Sequence, residues 1–259
     1  MSLKCVLIGA GNLATHLGEE LKCKGFQIVQ VYSRTKESAQ ILANKVSASY
    51  TTDPKEITQL CEVFIVALKD DALSHILLEV NFANKLIIHC SGSLHISAIN
   101  KFSENTGVIY PLQTFSKNRI VKFSEIPLYI EANSDKNLEL VKFIADKLSD
   151  NVNSASSEDR LVLHIAAVFA CNFVNHFYSL SESILEEKGF DFDILKPLIK
   201  ETANKILSIS PSDAQTGPAV RYDKSIIEKH LGILDENEKL SALYKAISES
   251  IFNFHQKTK

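Results

Sequence analysis

Several features are missing from this sequence, and each absence narrows what the chain can be. There is no C-x-x-C pair: Cys5, Cys23, Cys61, Cys90 and Cys171 are scattered, and Cys5, Cys61 and Cys90 lie in or beside apolar runs. That spacing argues against a disulfide framework and a structural zinc site, and predicts a reduced compartment. No excess of charge is present, the formal net value being −3, so nothing points to nucleic acid or to an acidic membrane surface. No apolar run is read as reaching transmembrane length. The first apolar strand starts close to the N-terminus, which leaves no room for a signal peptide. Internal repeats and low-complexity segments are also missing. The expectation is a cytoplasmic protein with neither a nucleic-acid nor a membrane partner. With 45% apolar residues over 259 positions, it can fill a proper core in one large or two ordinary domains.

What is present begins at the N-terminus. Val6-Leu7-Ile8 runs into Gly9-Ala10-Gly11-Asn12-Leu13-Ala14, a G-x-G-x-x-A pattern, and an amphipathic stretch from Leu13 to Leu21 follows. A pyrophosphate requires this succession of buried strand, tight glycine turn and helix start. Gly9 permits the turn, Gly11 lets the backbone approach the phosphates, and the small Ala14 lets helix pack closely on strand. The free N–H groups and positive dipole end of the helix then face the anion. An ordinary glycine turn is the plainer reading. The strand before the motif, the helix after it and the strand that comes next favour the nucleotide loop.

Up to about residue 153 the pattern alternates strand and helix. Strands are expected over 4–8, 27–32, 63–68 and 86–90, with others at 108–110 and 128–131; helices are expected over 13–24, 36–45, 54–60, 72–79 and 138–148. Continuous apolar strands joined by helices imply a parallel sheet covered on both faces, here a doubly wound Rossmann domain over 1–153. After the polar joint Asn153-Ser154-Ala155-Ser156-Ser157 no strand is expected. Ser156 with Asp159 predicts a helix running to about Lys188, where Gly189 stops it. Asp193 is expected to cap a helix over 194–207, and Asp235, with Glu238 three residues on, to cap the last one. Residues 154–259 therefore read as an all-α domain.

The end of the second strand bears on the cofactor. An NAD site usually places Asp or Glu there for the ribose 2′-OH; this chain has Ser33-Arg34-Thr35. A guanidinium fork between two hydroxyls suits a 2′-phosphate. The expected cofactor is NADP, held by Gly9, Ala10, Gly11, Asn12 and Leu13, by Ser33, Arg34 and Thr35, and by Ala67, Leu68 and Lys69 at the next strand end; a solvated surface arginine is the alternative. His89-Cys90-Ser91-Gly92-Ser93 closes a further strand. Ser91 is placed to touch a nicotinamide or substrate, Gly92 suggests close backbone approach, and His89 reads as a hydrogen-bonded core residue more readily than as an acid–base group.

In the helical half, His164, Asn172 and His176 punctuate an apolar helix of Leu161, Ile165, Val168, Phe169, Phe173 and Phe177. They are either satisfied core polar groups or, for His164 and Asn172, a stripe at one-turn spacing through Val168 that faces the cleft between the domains. No carboxylate or cysteine converges on them, so no metal site is expected. Thr216-Gly217-Pro218 reads as a turn. Arg221 beyond it either joins Asp223 in a structural ion pair or binds an anionic substrate group.

The chain resembles a family of Rossmann-like proteins whose helical C-terminal half is a domain of unknown function. Its members are assigned as NADP oxidoreductases, relatives of the deazaflavin-dependent NADP reductases and of pyrroline-5-carboxylate reductase. The resemblance spans nearly the whole chain. It rests on Gly9 to Ala14, His89 to Ser93, Tyr110-Pro111-Leu112-Gln113-Thr114-Phe115, His164 to Asn172, and Thr216-Gly217-Pro218 with Arg221 and Asp223. It implies an NADP-binding domain followed by a helical domain similar to the C-terminal domain of 6-phosphogluconate dehydrogenase, and no particular substrate. Tyr222 stands where the family usually has Gly, Tyr110 where it has His, and Lys69 where it has Pro. The related β-hydroxyacid dehydrogenases carry a catalytic Lys at the place of Val168, so their mechanism does not transfer. The first functional expectation is an NADP(H)-dependent oxidoreductase acting on a small C=O or C=N substrate in the interdomain cleft. His164 would be its proton donor, Asn172 and Ser91 its catalytic partners, and Gly92, Arg221 and Thr216 its substrate contacts. The second is a non-enzymatic NADP(H)-binding sensor or scaffold, favoured by the missing Lys. The broad apolar helix faces predict a homodimer through the helical domain.

Overall fold

The computed structural model describes residues 2–257. An eight-stranded sheet has the order β3-β2-β1-β4-β5-β6-β7-β8. Its strands are β1 Lys4–Ile8, β2 Gln27–Tyr32, β3 Ser49–Thr51, β4 Val63–Val66, β5 Leu86–His89, β6 Thr106–Pro111, β7 Leu128–Ala132 and β8 Val152–Ser154. Strands β1 to β6 pair in parallel, β7 is antiparallel to β6, and β8 is parallel to β7. The order reverses between β1 and β4, which opens the crevice where ligands of doubly wound sheets bind. Helices α1 Asn12–Cys23, α2 Lys36–Val46, α3 Asp70–Leu77 and α4 Asp135–Leu148 flank it. Successive strand residues separate into two layers. Leu7, Ile65 and Ile88 pack with α1, α2 and α4, whereas Ile8, Phe64, Val66 and Ile87 pack with α3. Burial on both faces is the reason these strands are apolar at nearly every position.

Two strands were not legible in the sequence. The three residues of β3 carry too little periodicity, and β8 lies within the polar joint, where an edge strand tolerates polar side chains. The helix expected over 54–60 shrinks to a single tight turn at Pro54–Glu56, capped by Asp53, whose carboxylate accepts from the Lys55 N–H at 2.9 Å.

From Ser157 the chain is helical. Helix α5 Ser157–Ala167, a π-helical segment Val168–Phe173 and α6 Val174–Glu186 follow one another without a break. Ser156 Oγ accepts from the Asp159 N–H at 3.1 Å, the bond its spacing predicts. The 157–186 stretch has a window of mean hydropathy 1.5 and is long and apolar enough to cross a membrane by length and composition alone. This corrects the expectation that no apolar segment reaches that length, which came from counting uninterrupted runs and so missed a helix punctuated by His and Asn. Helices α7 Lys196–Ile206, α8 Pro211–Ala214, α9 Pro218–Arg221, α10 Lys224–Ile233 and α11 Glu238–Lys257 complete the chain. Two expected caps shift by two residues: Asp191, not Asp193, opens the helical turn before α7, and Asn237, not Asp235, accepts from the Leu240 N–H at 3.1 Å. Neighbouring Asx side chains offer the same local bond and compete for the position. By packing, residues up to His176 form one compact unit and those from Phe177 a second. The unit that holds the sheet therefore also carries α5 and the π-helical segment.

Candidate active site

The β1–α1 loop is shaped by what cannot fit there. Gly9 has φ +126°, and a Cβ on it would lie 2.4 Å from the Ala67 carbonyl oxygen. Only glycine lets the end of β1 abut the end of β4. Beyond it, nothing lies within 4 Å of where a Gly11 Cβ would be. The first turn of α1 has no side-chain cap, so its N–H groups are available to an anion. Ala10 is buried and Leu13 packs on the core. Asn12 Nδ2 donates to the Phe115 carbonyl at 2.8 Å and ties the 112–122 loop to this turn. After β2, Ser33 is half-buried while Arg34 and Thr35 are exposed. Arg34 has no hydrogen-bond or ion-pair partner among the described residues, and the Thr35 hydroxyl does not cap α2. Open space over Gly11 and these unspent donors fit a phosphorylated dinucleotide. Ala67 and Leu68 are half-buried at the end of β4, and Lys69 is exposed at the start of α3.

A hydrogen-bond network organises the end of β5, with the buried His89 Nε2 left outside it. His89 is fully buried, and its Nδ1 accepts from the Ser91 N–H at 3.2 Å. Burial, reinforced by the nearby Arg160 charge, pushes its pKa down to about 3, so the ring is neutral. Ser91 Oγ donates to Asp70 at 3.1 Å and accepts from the N–H groups of Ser93 at 3.2 Å and Leu94 at 3.1 Å. A hydroxyl has one proton and two lone pairs, and all are spent here. Ser93 Oγ also donates to Asp70, at 2.5 Å. The carboxylate at the start of α3 thus clamps the β5 turn to the β4 end.

Gly92 lies beneath an aromatic pair. A Cβ on it would come within 2.7 Å of Tyr110 Cζ and 2.9 Å of His164 Nδ1. Tyr110, near the end of β6, places its hydroxyl 3.2 Å from His164 Nδ1 on α5, with the rings edge to face at 6.1 Å. Burial raises the Tyr110 pKa, and the Arg160 charge opposes that rise. The pair opens onto a cavity of about 490 Å³ that is also lined by Gln113, Thr114, Phe115 and Asn172. A more polar groove of about 650 Å³ shares Gln113, Thr114, Cys171 and Asn172 and adds Ser116, Arg119 and Asn175.

Tyr110 is the functional candidate that sequence reasoning passes over. A tyrosine in an apolar strand reads as core, and the available signal was its replacement of the family's usual His, another hydrogen-bonding ring. His164 and Gly92 meet at Tyr110, and Asn172 lines the same cavity. The constant one-turn stripe through Val168 is interrupted by the π-helical segment, in which hydrogen bonds run from i to i+5. Ala167, Cys171 and Asn172 line the cavity instead of Val168. Thr216 and Arg221 lie in the second unit. Thr216 lines an apolar cavity of about 320 Å³ with Phe177, Ala219 and Tyr244. Arg221 makes no ion pair with Asp223, which accepts instead from Ser225 Oγ at 3.2 Å. Tyr222 beside it has φ +52°, the left-handed conformation that explains why glycine is usual there.

A doubly wound sheet with an open glycine turn, free donors after β2 and a hydrogen-bonded Tyr–His pair beside a cavity is an arrangement that suits a nucleotide-dependent oxidoreductase. Comparison with known proteins agrees. Residues 4–92 match the family described as NADP oxidoreductase, coenzyme F420-dependent, and residues 126–251 match a domain of unknown function, DUF2520. Curated protein sequences give no match. A Bacteroides fragilis structure, BF3122, with the provisional assignment NADP oxidoreductase, is 46% identical over 97% of this chain and 98% of its own, with a TM-score of 0.90. A reductive aminase from Aspergillus terreus in complex with NADPH is 13% identical (TM-score 0.72, covering 96% of this chain and 93% of its own). A pyrroline-5-carboxylate reductase from Streptococcus pyogenes is 15% identical (TM-score 0.64, 99% of each chain). The last two share the fold. The chain belongs to the NADP oxidoreductase family, which makes it an enzyme with NADP as its cofactor.

Proposed function

We propose that this enzyme transfers a hydride between NADP(H) and a small substrate bearing a C=O or C=N group, held in the cavity beside Tyr110 and His164. The observation that carries this reading is the Tyr110–His164 contact over Gly92. Tyr110 and the Gly92 turn lie at the carboxyl ends of β6 and β5, the side on which such folds bind ligands, and this supports the reading. The names of the reductive aminase and the pyrroline-5-carboxylate reductase support C=N chemistry for the shared fold.

Gly9, Ala10, Gly11, Asn12 and Leu13 would hold the pyrophosphate, Ser33, Arg34 and Thr35 the 2′-phosphate, and Ala67, Leu68 and Lys69 would border the dinucleotide. When bound, the cofactor supplies or accepts the hydride. His164 holds the proton and passes it to the substrate nitrogen or oxygen, and Tyr110 fixes the ring through Nδ1. The Asn172 amide orients the same heteroatom. Ser91 keeps Gly92 in place through its bond to Asp70, and the apolar wall of Leu112, Phe115, Ala167 and Ala170 keeps water away from the reacting carbon.

The test is NADPH oxidation against a panel of keto acids and imines. One class should be turned over, and His164→Ala should lower kcat about 10²-fold or more while NADPH affinity stays within twofold. No turnover by the wild type on either class, or unchanged kcat in the variant, rejects the reading. We also propose a homodimer through the helical segment. Val162 and Phe169 on the 157–186 helix are 67% and 64% exposed in the single chain, amid Leu161, Ile165 and Phe173. Light scattering showing a monomer at every concentration would reject it.

A further inference from the structure

Beside the Tyr110–His164 pair lies a buried charge that the reading above does not use. Arg160 is 1% exposed and stands one helical turn before His164 on the same face of α5. Its guanidinium reaches three segments at once. Nη1 donates to the Glu131 carboxylate on β7. Nη2 donates to the Leu94 carbonyl at 2.5 Å and to Ser157 Oγ at 3.2 Å. Ser157 in turn donates to Glu131 at 2.8 Å and accepts from the Ile96 N–H at 3.0 Å. Leu94 and Ile96 belong to the turn that carries Gly92. Glu131 pairs across from Val108 on β6, two residues from Tyr110 on the same strand. One guanidinium therefore joins the helix bearing His164 to the turn bearing Gly92 and to β7, which pairs with the strand bearing Tyr110.

We propose that Arg160 is a positioning residue. By locking α5 to the 91–97 turn and to β7, it sets the contact between His164 and Tyr110 over Gly92. The proposal rests on the reading that this pair delivers the proton. Three arguments support it. A guanidinium presents several donors in a rigid planar fork, which is what joining three acceptors from different segments requires. A buried ion pair is a poor device for stability alone, because apolar residues of similar volume often do as well. And the Arg160 charge is felt at the Tyr110 hydroxyl, where it opposes the effect of burial.

The test uses the full-length protein as Arg160→Lys, Glu131→Gln and the double variant Arg160→Met/Glu131→Leu. The double variant removes both charges together and avoids leaving one buried and unpaired. Four quantities are measured: thermal unfolding, NADPH affinity by calorimetry, the His164 ring-nitrogen NMR signals with Tyr110→Phe as reference, and kcat and KM. The double variant should fold and bind NADPH within about twofold of wild type. Its His164 Nδ1 signal should move to the position seen in Tyr110→Phe, and its kcat should fall about tenfold or more with KM nearly constant, as a displacement of the order of 1 Å would produce. Arg160→Lys keeps the charge but not the fork; it should recover stability without recovering the signal, and it stands in if the double variant does not fold. A folded variant with wild-type His164 signal and kcat overturns the proposal, and so does a parallel loss of NADPH affinity. If the wild type turns over no carbonyl or imine, the reductase reading fails by itself. The His164 signal then decides on positioning alone: movement supports it and constancy overturns it.

Discussion

Gly92→Ala is the sharpest single perturbation of the site. The added methyl would sit 2.7 Å from Tyr110 Cζ, 2.8 Å from Tyr110 Cε2 and 2.9 Å from His164 Nδ1, where ordinary contact begins near 3.4 Å. The rings must therefore yield by 3.4 − 2.7 = 0.7 Å on the tyrosine side and 3.4 − 2.9 = 0.5 Å on the histidine side. No left-handed backbone is at stake at this glycine, so the cost is purely one of contact. Forcing a methyl into a packed site typically costs about 1–3 kcal/mol, and in a chain of this size each kcal/mol lowers Tm by about 2–4 °C. Both rings must move off the new methyl, so the 3.2 Å hydrogen bond between them, already at the long end of the range, should be lost. If the pair delivers the proton as proposed, a displacement of this order should lower kcat about tenfold to a hundredfold. NADPH affinity should hold, because the glycine turn after β1 is untouched. Calorimetry, thermal unfolding and steady-state kinetics on wild type and variant test all three parts. A variant with wild-type kcat and wild-type Tm would refute the placement of the pair over Gly92 and, with it, the reading of the site.

Arg34→Ala should weaken NADP(H) binding about tenfold or more, the worth of roughly 1.5–3 kcal/mol for a hydrogen bond to a charged group, and leave NAD(H) unchanged; calorimetry of both cofactors checks it, and equal affinities of the wild type for the two would reject it. His89 makes a separate prediction about acid. Its folded pKa of about 3 lies below the unfolded value near 6.5, so the unfolded chain binds the extra proton first and stability is lost as pH falls below 6.5. At about 1.4 kcal/mol per pH unit, roughly 2 kcal/mol should disappear between pH 7 and 5. Urea unfolding of His89→Gln at both pH values should show that much less pH dependence than wild type, and equal dependence would exclude a neutral buried His89.

Local chemistry made much of the fold readable. Strands β1, β2, β4 and β5 are apolar at nearly every position because helices cover both faces of the sheet. The glycine turn after β1 and the Ser156 cap are short-range devices whose partners lie a few residues away. Misplaced features have several physical causes. At Asp191 and Asn237 identical local bonds compete, at β3 and β8 the strands are too short to show a period, and at Val168–Phe173 an unbroken helical pattern does not reveal a π-helical segment.

The sequence by itself led to the expectation of a dinucleotide at the end of β1 and, from Arg34 with no acid beside it, of a phosphorylated ribose. Both follow from residues adjacent along the chain. It also supplied His164 and Asn172 as one stripe through Val168 that was expected to face Ser91 and Gly92. Only the tertiary structure decided that Tyr110 meets His164 across 54 positions of chain, that Ser91 spends its hydroxyl on Asp70, and that Arg160 is buried. These contacts depend on strand register and on how α5 sits against β7 and the β5 turn. Register and docking are fixed by packing between distant segments, and no local periodicity encodes them.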